Sequence, residues 1–147
     1  MILRTDRLTL RPFRSDDESA FERFANHEDY LRFLGDDHPI PRDFVRNNVA
    51  ADGAWVIEFD GAVVGSVFLD DELACLLDPA VHDKGIGVEA ARAVIEDGFR
   101  RRGIEVVVAR ADPANTASVR GLVRLGFAVS GDGRYILRRT GGGEATR

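Results

Sequence analysis

Between His82 and Val88 the chain reads His-Asp-Lys-Gly-Ile-Gly-Val, and a helical pattern begins inside that stretch. Glycine is the poorest helix former after proline, so two glycines one residue apart at a helix start call for a reason. A helix N-terminus presents unsatisfied N–H groups and about half a unit of positive charge. Glycines there let a phosphate approach the backbone closely. Lys84-Gly85-Ile86-Gly87-Val88 is therefore a candidate cradle for a phosphate or pyrophosphate, the plainer alternative being a turn. Gly85-Ile86-Gly87-Val88-Glu89-Ala90 also fits the G-x-G-x-x-G/A dinucleotide fingerprint. That fingerprint needs the glycines directly after the first strand of a βαβ unit, with an acidic residue about 20 positions on. Here seven residues, Asp78 to Lys84, intervene, and the next strand's end, Asp112, lies about 27 positions on. The Gly-Lys-Ser/Thr ending of a P-loop is absent.

The elements that must position this loop follow from pattern. Leu8–Arg11 alternates and then meets Pro12, as a strand would. Ser15 with Glu18 three residues later reads as a capping box, opening a helix with Ala20, Phe21 and Phe24 on its apolar face up to about Asn26. Tyr30, Leu31, Phe33 and Leu34 are apolar without a clear period, and a second helix is expected from Pro41, carrying Phe44, Val45 and Val49. Ala54–Phe59 and Ala62–Leu69 flank Asp60-Gly61, the strongest short-range hairpin signal. Asp70-Asp71 is a second turn, and Leu73–Leu77 a third strand of one antiparallel meander. After Gly87 a helical face of Val88, Ala91, Val94, Ile95 and Phe99 runs to Arg100–Arg102, with Gly103 beyond its end. Val106–Ala109 is a continuous apolar run, the mark of a central strand. A helix is expected from Asn115 to Leu125, closed by Gly126, and then strands at Phe127–Val129 and Tyr135–Leu137. The order β-α-α-β-β-β-α-β-α-β-β is that of a mixed α/β (α+β) sheet with helices. One domain is expected over residues 1–139, with 140–147 a disordered tail.

Composition narrows the classes. The 147 residues are enough for a real core. No apolar run approaches the ~20 residues of a membrane span, and Met1–Leu10 lacks the apolar core of a signal peptide. A net charge of −5 argues against general binding to nucleic acid or anionic membrane. Cys75 is the sole cysteine, so there is no internal disulfide, and His27, His38 and His82 show no metal-ligand spacing. A cytoplasmic protein without a metal is expected. Arg100–Arg102 reads as a solvated helix end, with a nucleic-acid patch as the alternative.

Several of these segments together resemble one family. His82-Asp83-Lys84-Gly85-Ile86-Gly87, continued by Glu89-Ala90, resembles the Q/R-x-x-G-x-G/A loop of the GNAT N-acetyltransferases. Thr5-x-Arg7-Leu8-x-Leu10-Arg11-Pro12 resembles the opening strand of the branch that includes the ribosomal-protein N-terminal acetyltransferases. Leu77-Asp78-Pro79 sits where that branch ends its fourth strand, and Asn115-Thr116-Ala117-Ser118 followed by Leu125-Gly126-Phe127 matches its N-x-x-S … L-G-F segment. The resemblance spans positions 5 to 127. It implies a mostly antiparallel, twisted sheet of about six to seven strands with about four helices. It also implies acetyl-CoA as donor. Backbone N–H groups from Asp83 through Lys84, Gly85, Ile86, Gly87 and Val88 would hold its pyrophosphate, beside His82. The pantetheine arm would lie between the strands of Cys75–Leu77 and Val106–Ala109, which splay apart in this family. The Leu77 N–H would face the thioester carbonyl, and Asn115 would bond the pantetheine or a nearby backbone group. Two positions depart from the pattern: His82 replaces Gln or Arg, and Asp83 puts a carboxylate where glycine or a basic residue is common.

Acetyl transfer to an amine needs a neutral amine, a stabilised oxyanion and a protonated or stabilised thiolate. An amine with a pKa of about 10 is charged at pH 7, so a base or a water relay must take its proton. Glu72 is the first candidate, since it begins the strand expected to hold the thioester; Glu58 and His38 are others. Many GNAT enzymes carry a Tyr on the last helix as the acid, whereas Leu122 occupies that neighbourhood here and Tyr30 and Tyr135 lie elsewhere. Ser118, one helical turn from Asn115, is the candidate acid and a further donor contact. Cys75 invites an acetyl-cysteine intermediate, though no base adjoins it and a lone strand cysteine suits a core. The expected function is direct transfer of acetyl to a primary amine, a protein N-terminus or small amine, by a monomer or homodimer. The acceptor would enter a groove lined by Tyr30–Asn48. The alternatives are a non-catalytic acyl-CoA-binding module and a nucleotide-binding regulatory domain.

Overall fold

A computed structural model describes residues 1–25, 43–70 and 72–140. Its strands are β1 (Leu3–Arg4), β2 (Leu8–Arg11), β3 (Ala54–Phe59), β4 (Ala62–Leu69), β5 (Glu72–Leu77), β6 (Val106–Arg110), β7 (Ala128–Gly131) and β8 (Arg134–Arg138). The helices among the described residues are α1 (Glu18–Ala25), α2 (Phe44–Asn48), α3 (Ile86–Arg100) and α4 (Thr116–Leu125). The expectations for His27, Tyr30, His38, Pro41, Asp71 and the tail beyond Thr140 lie outside the described residues.

The strands form one eight-stranded sheet in the order β1-β2-β3-β4-β5-β6-β8-β7. Every neighbouring pair is antiparallel except β5 and β6. The meander and its hairpin are as the sequence predicts: Asp60 and Gly61 both have positive φ, 55° and 81°, as the tight turn between right-twisted strands requires. The sequence does not predict β1. Two residues are too short to show a period, and only pairing with Leu10 and Thr9 makes them a strand.

Each sheet face buries its own cluster. On one, α3 and α4 cover Leu10, Trp55, Ile57, Val67, Val107 and Tyr135. On the other, α1 and α2 bring Phe21 and Val45 onto Phe13, Val56, Phe68 and Leu76. Phe13 holds this second layer, with ring centroids 5.4 Å from Phe21, 5.8 Å from Phe44 and 5.9 Å from Phe68. Burial of such side chains is worth about 1.5–3 kcal/mol each. The buried stripe of α3 is Ile86, Ala90, Ala91, Val94, Ile95 and Gly98. Val88 and Phe99, expected on that face, are only half-buried. Its small residues let the helix lie close over the sheet: a Cβ at Gly98 would come 2.9 Å from Leu69 Cδ2.

The start of α1 differs from expectation. A 3-10 turn, Ser15–Asp17, precedes it, and the carboxylate that reaches back to the chain is Asp17, accepting from the Arg14 N–H at 2.7 Å, not Glu18. Asp17 wins because it is already fixed from the sheet. The buried Arg11 donates to both its oxygens, at 2.7 and 3.0 Å, and to Glu58 at 2.7 Å. Burial pushes the Asp17 carboxyl up, but the hydrogen bonds from Arg11 and Arg14 outweigh it and hold the group below the usual carboxylate range. A carboxylate depressed by folding contributes stability above its unfolded value, about 3.9, and loses it as pH falls through the lower folded value. Asp17→Asn should cost about 3 kcal/mol at pH 7 by leaving the buried Arg11 with Glu58 as its one carboxylate among the described residues, and should flatten the acid limb below about pH 4. Urea unfolding at pH 7 and pH 3 measures both; an unchanged acid dependence would contradict the assignment.

Candidate active site

β5 pairs with β4 along its whole length, from Leu69↔Leu73 to Gly65↔Leu77, and the Asp78 N–H bonds the Val64 carbonyl at 2.7 Å. With β6 it pairs only at Glu72↔Val108 and Leu73↔Ala109. Past those two residues the strands part. In the antiparallel β4–β5 ladder, bonded residues alternate. The Asp78–Val64 bond sets that alternation, so the N–H groups of Cys75 and Leu77 face away from β4, into the opening. The opening lies beyond Ala109 and is not flanked by the Val106–Ala109 pairing region. The chain beyond β6 stays with its other neighbour, extending the β6–β8 ladder by one pair: the Ala111 N–H bonds the Gly133 carbonyl at 3.0 Å.

Beside this opening stands the N-terminus of α3. The Glu89 N–H makes the first helical bond, to the Gly85 carbonyl at 3.1 Å. Among the described residues no side chain caps the N–H groups ahead of it. The two glycines serve different ends. Gly85 is the N-cap and has φ +76°. Gly87 has ordinary helical geometry, but a Cβ there would lie 3.2 Å from Leu77 Cδ1 and 3.7 Å from Cys75 Sγ, so its small size lets α3 sit on β5. Asp83 also takes a left-handed conformation, φ +71°, and is exposed. That is why a glycine suits this position: an L-residue there carries a steric cost.

The loop is tied to the N-terminal turn. Arg7 donates through Nε to Glu89 Oε1 at 2.7 Å and through Nη1 to the Lys84 carbonyl at 2.8 Å. The Arg7 N–H donates to Glu89 Oε2 at 3.0 Å, and the Thr5 hydroxyl bonds the same oxygen. Burial pushes Glu89 up, but the hydrogen bonds from Thr5 and Arg7 prevail and hold it below the usual carboxylate range. An open groove of about 690 Å³ runs over this turn and along α3, lined by five cations, Arg4, Arg7, Lys84, Arg92 and Arg124, and by four carboxylates, Asp6, Asp83, Glu89 and Glu96. Sequence reasoning misses Thr5, Arg7 and Glu89 as residues of the site. Glu89 carries a signal, being a carboxylate in the first turn of the helix that starts at the glycines.

The remaining candidates separate into near and far. Asn115 is the N-cap of α4 and its Oδ1 accepts from the Ser118 N–H at 3.1 Å, a backbone bond of the kind expected of it. The half-buried Ser118 hydroxyl has no hydrogen-bond partner among the described residues. Cys75 is not in the core. The residue is exposed, but its sulfur lies against the start of α3, where a Cβ at Gly87 would come 3.7 Å from it, and desolvation pushes the thiol up; it is a neutral thiol at pH 7. Glu72 lies at the closed end of the opening, five residues along β5 from Leu77, or about 16 Å, and its Oε1 pairs with Arg110 at 3.1 Å. Glu58 is held by Arg11 and lies near Arg14, at 3.9 Å. Tyr135 is buried in the α3–α4 core layer. The half-buried His82 ends the 3-10 turn Pro79–Val81, which Asp78 caps by accepting from the Ala80 N–H. Arg101 and Arg102 tie the end of α3 to Asp97, Asp52 and Asp70. No group of three or more His, Cys, Asp or Glu among the described residues could hold a metal. No described helix is long and apolar enough to cross a membrane.

The left-handed backbone at Asp83 yields a direct test. Asp83→Gly should keep wild-type stability to within about 1 kcal/mol, and Asp83→Val, β-branched, should lose about 1–2 kcal/mol. Chemical unfolding of the two variants decides; equal stabilities would show that the turn does not need this conformation.

Comparison with known proteins gives one consistent result. Residues 7–128 match the family model described as an acetyltransferase (GNAT) domain. An uncharacterised N-acetyltransferase, YnaD of Bacillus subtilis (strain 168), is 22% identical over 144 residues, covering 89% of this chain and 85% of that protein. The crystal structure of a GNAT-family acetyltransferase from Bacillus anthracis superposes with TM-score 0.81 at 21% identity, over 94% of this chain and 98% of that one. An acetyltransferase from Agrobacterium tumefaciens str. C58 gives 0.81 at 23%, over 95% of each. The fold is shared as well by the aminoglycoside acetyltransferase AAC(6′)-Ib in complex with coenzyme A, at TM-score 0.71. It is shared too by a Vibrio cholerae spermidine N-acetyltransferase with CoA and spermine, at 0.74. The chain belongs to the GNAT family and is an N-acetyltransferase.

Proposed function

We propose that this protein takes its acetyl group from acetyl-CoA and passes it directly to a primary amine, a protein N-terminus or a small amine. The observation that carries the reading is the parting of β5 from β6 beside an uncapped helix N-terminus. Pyrophosphate oxygens would accept from the N–H groups of Ile86, Gly87 and Val88, where the helix field favours anions. The pantetheine arm would enter the opening, with the thioester carbonyl on the N–H of Leu77 or Cys75. The amine nitrogen then attacks the carbonyl carbon, the C–S bond breaks, and the CoA sulfur leaves with the electron pair. Those N–H groups would stabilise the oxyanion formed on the way.

Cys75 has no hydrogen-bonded base among the described residues to make it a thiolate, which supports direct attack over an acetyl-cysteine intermediate. Ser118, with its spare hydroxyl on the turn that begins α4, is the group we assign to bond and protonate the departing sulfur. Glu72 could take the amine's proton only through a relay, given its distance from Leu77. The CoA complexes of two enzymes of this fold support the donor. Their amines, an aminoglycoside and a polyamine, are chemically unlike each other, so the fold does not by itself fix the acceptor.

A thermal-shift titration tests the donor site. Acetyl-CoA or CoA at about 100 times its dissociation constant should stabilise the fold by about 2.7 kcal/mol, a rise of several degrees, whereas NAD should not. Gly87→Glu should abolish the rise by filling the contact with Leu77 and adding a negative charge. No rise with either CoA species would overturn the reading. With an amine that turns over, Ser118→Ala should lower kcat by about a hundredfold; wild-type kcat would remove the serine from the mechanism.

A further inference from the structure

We infer that Arg7 is a positioning residue of the donor site: it shapes the phosphate loop and neutralises a carboxylate that would otherwise oppose the donor's pyrophosphate. The inference rests on the donor site proposed above. Glu89 is an anion in the first turn of α3, the helix whose N-terminus would hold another anion. Left free, it would compete for the same field and repel the same charge. Instead the Thr5 hydroxyl, the Arg7 N–H and Arg7 Nε together draw it to the N-terminal turn. The carboxylate is thereby compensated, and its hydrogen bonds from the described residues all come from the N-terminal turn.

The same guanidinium acts on the loop. Its Nη1 holds the Lys84 carbonyl at 2.8 Å. The C=O and N–H of a trans peptide point in opposite directions, so fixing that carbonyl turns the Gly85 N–H away from Arg7. A side chain at Gly85 would come within 3.5 Å of Arg7 Nη2, which shows how closely the guanidinium lies against the N-cap. Nη2 has no hydrogen bond among the described residues, while the other two nitrogens are used. One planar fork thus sets a carbonyl and a carboxylate at once and keeps a donor in hand, a task lysine's single ammonium cannot do.

Calorimetric dissociation constants for CoA and for pantetheine, which lacks the pyrophosphate, test this in the full chain. Arg7→Gln should weaken CoA about tenfold and leave pantetheine unchanged, because the residue acts only where the phosphates sit. Adding Glu89→Gln should recover part of the loss, since the uncompensated charge is gone while the Lys84 carbonyl stays unheld. Arg7→Lys, which keeps the charge and guards against misfolding, should weaken CoA by a smaller factor, about threefold. A purely structural role would weaken both ligands together and would not be relieved by Glu89→Gln; either result overturns the inference. So does wild-type CoA affinity in both Arg7 variants. If the wild type binds CoA and the variants match it, the inference alone falls. If the wild type binds neither ligand, the donor site falls with it.

Discussion

Everything distinctive about this fold depends on β5 having one full neighbour and one that leaves it. Paired with β4 throughout and with β6 over two residues, β5 turns alternate N–H groups toward an opening. A sheet interior does not leave donors unpaired without compensation, since buried backbone groups are nearly always bonded. Two contacts fix what lies on either side of the opening. Gly87 lets the start of α3 rest on Leu77 and Cys75, and Gly133 takes the N–H of Ala111 toward the β7–β8 hairpin. The α3–α4 core layer then fixes both helices to the same face.

The helix N-terminus and the opening have to be aligned, and the chain does this with its first residues. The turn at Thr5–Arg7 is distant in sequence from Lys84 and Glu89 but bonded to both. The Arg11–Asp17–Glu58 network does the equivalent work on the other face, fixing the chain that leads into α1. Two arginines of one N-terminal segment thus anchor the two faces of the sheet through different carboxylates. Both networks join polar groups across the fold, and such pairs contribute geometry as much as stability.

Much of this is legible in the sequence alone. The meander, the hairpin at Asp60-Gly61, the α3 and α4 helices and the loop between β5 and α3 all announce themselves through period and turn chemistry. The parting of β5 from β6 follows from the family resemblance. What the sequence conceals are contacts between distant residues. Nothing local marks Asp17 over Glu18 as the reach-back carboxylate; the choice is made by Arg11 from the neighbouring strand. Nothing local ties Arg7 to Glu89. In the sequence the two glycines look like a single device, and only the packing of Gly87 on Leu77 separates its role from the left-handed turn at Gly85. Glu72 looks close to the chemistry because it shares a strand with Leu77, but a strand's length puts it at the other end.

The central claim is that the opening between β5 and β6 receives the donor, with the Cys75 and Leu77 N–H groups facing it. Amide hydrogen exchange at those two residues tests it most directly. Both N–H groups should exchange quickly in the free protein, faster than those of Ala74 and Leu76, which bond β4, and acetyl-CoA should slow them selectively. Protection of Cys75 and Leu77 in the free protein, or no change on adding acetyl-CoA at saturating concentration, would contradict the account.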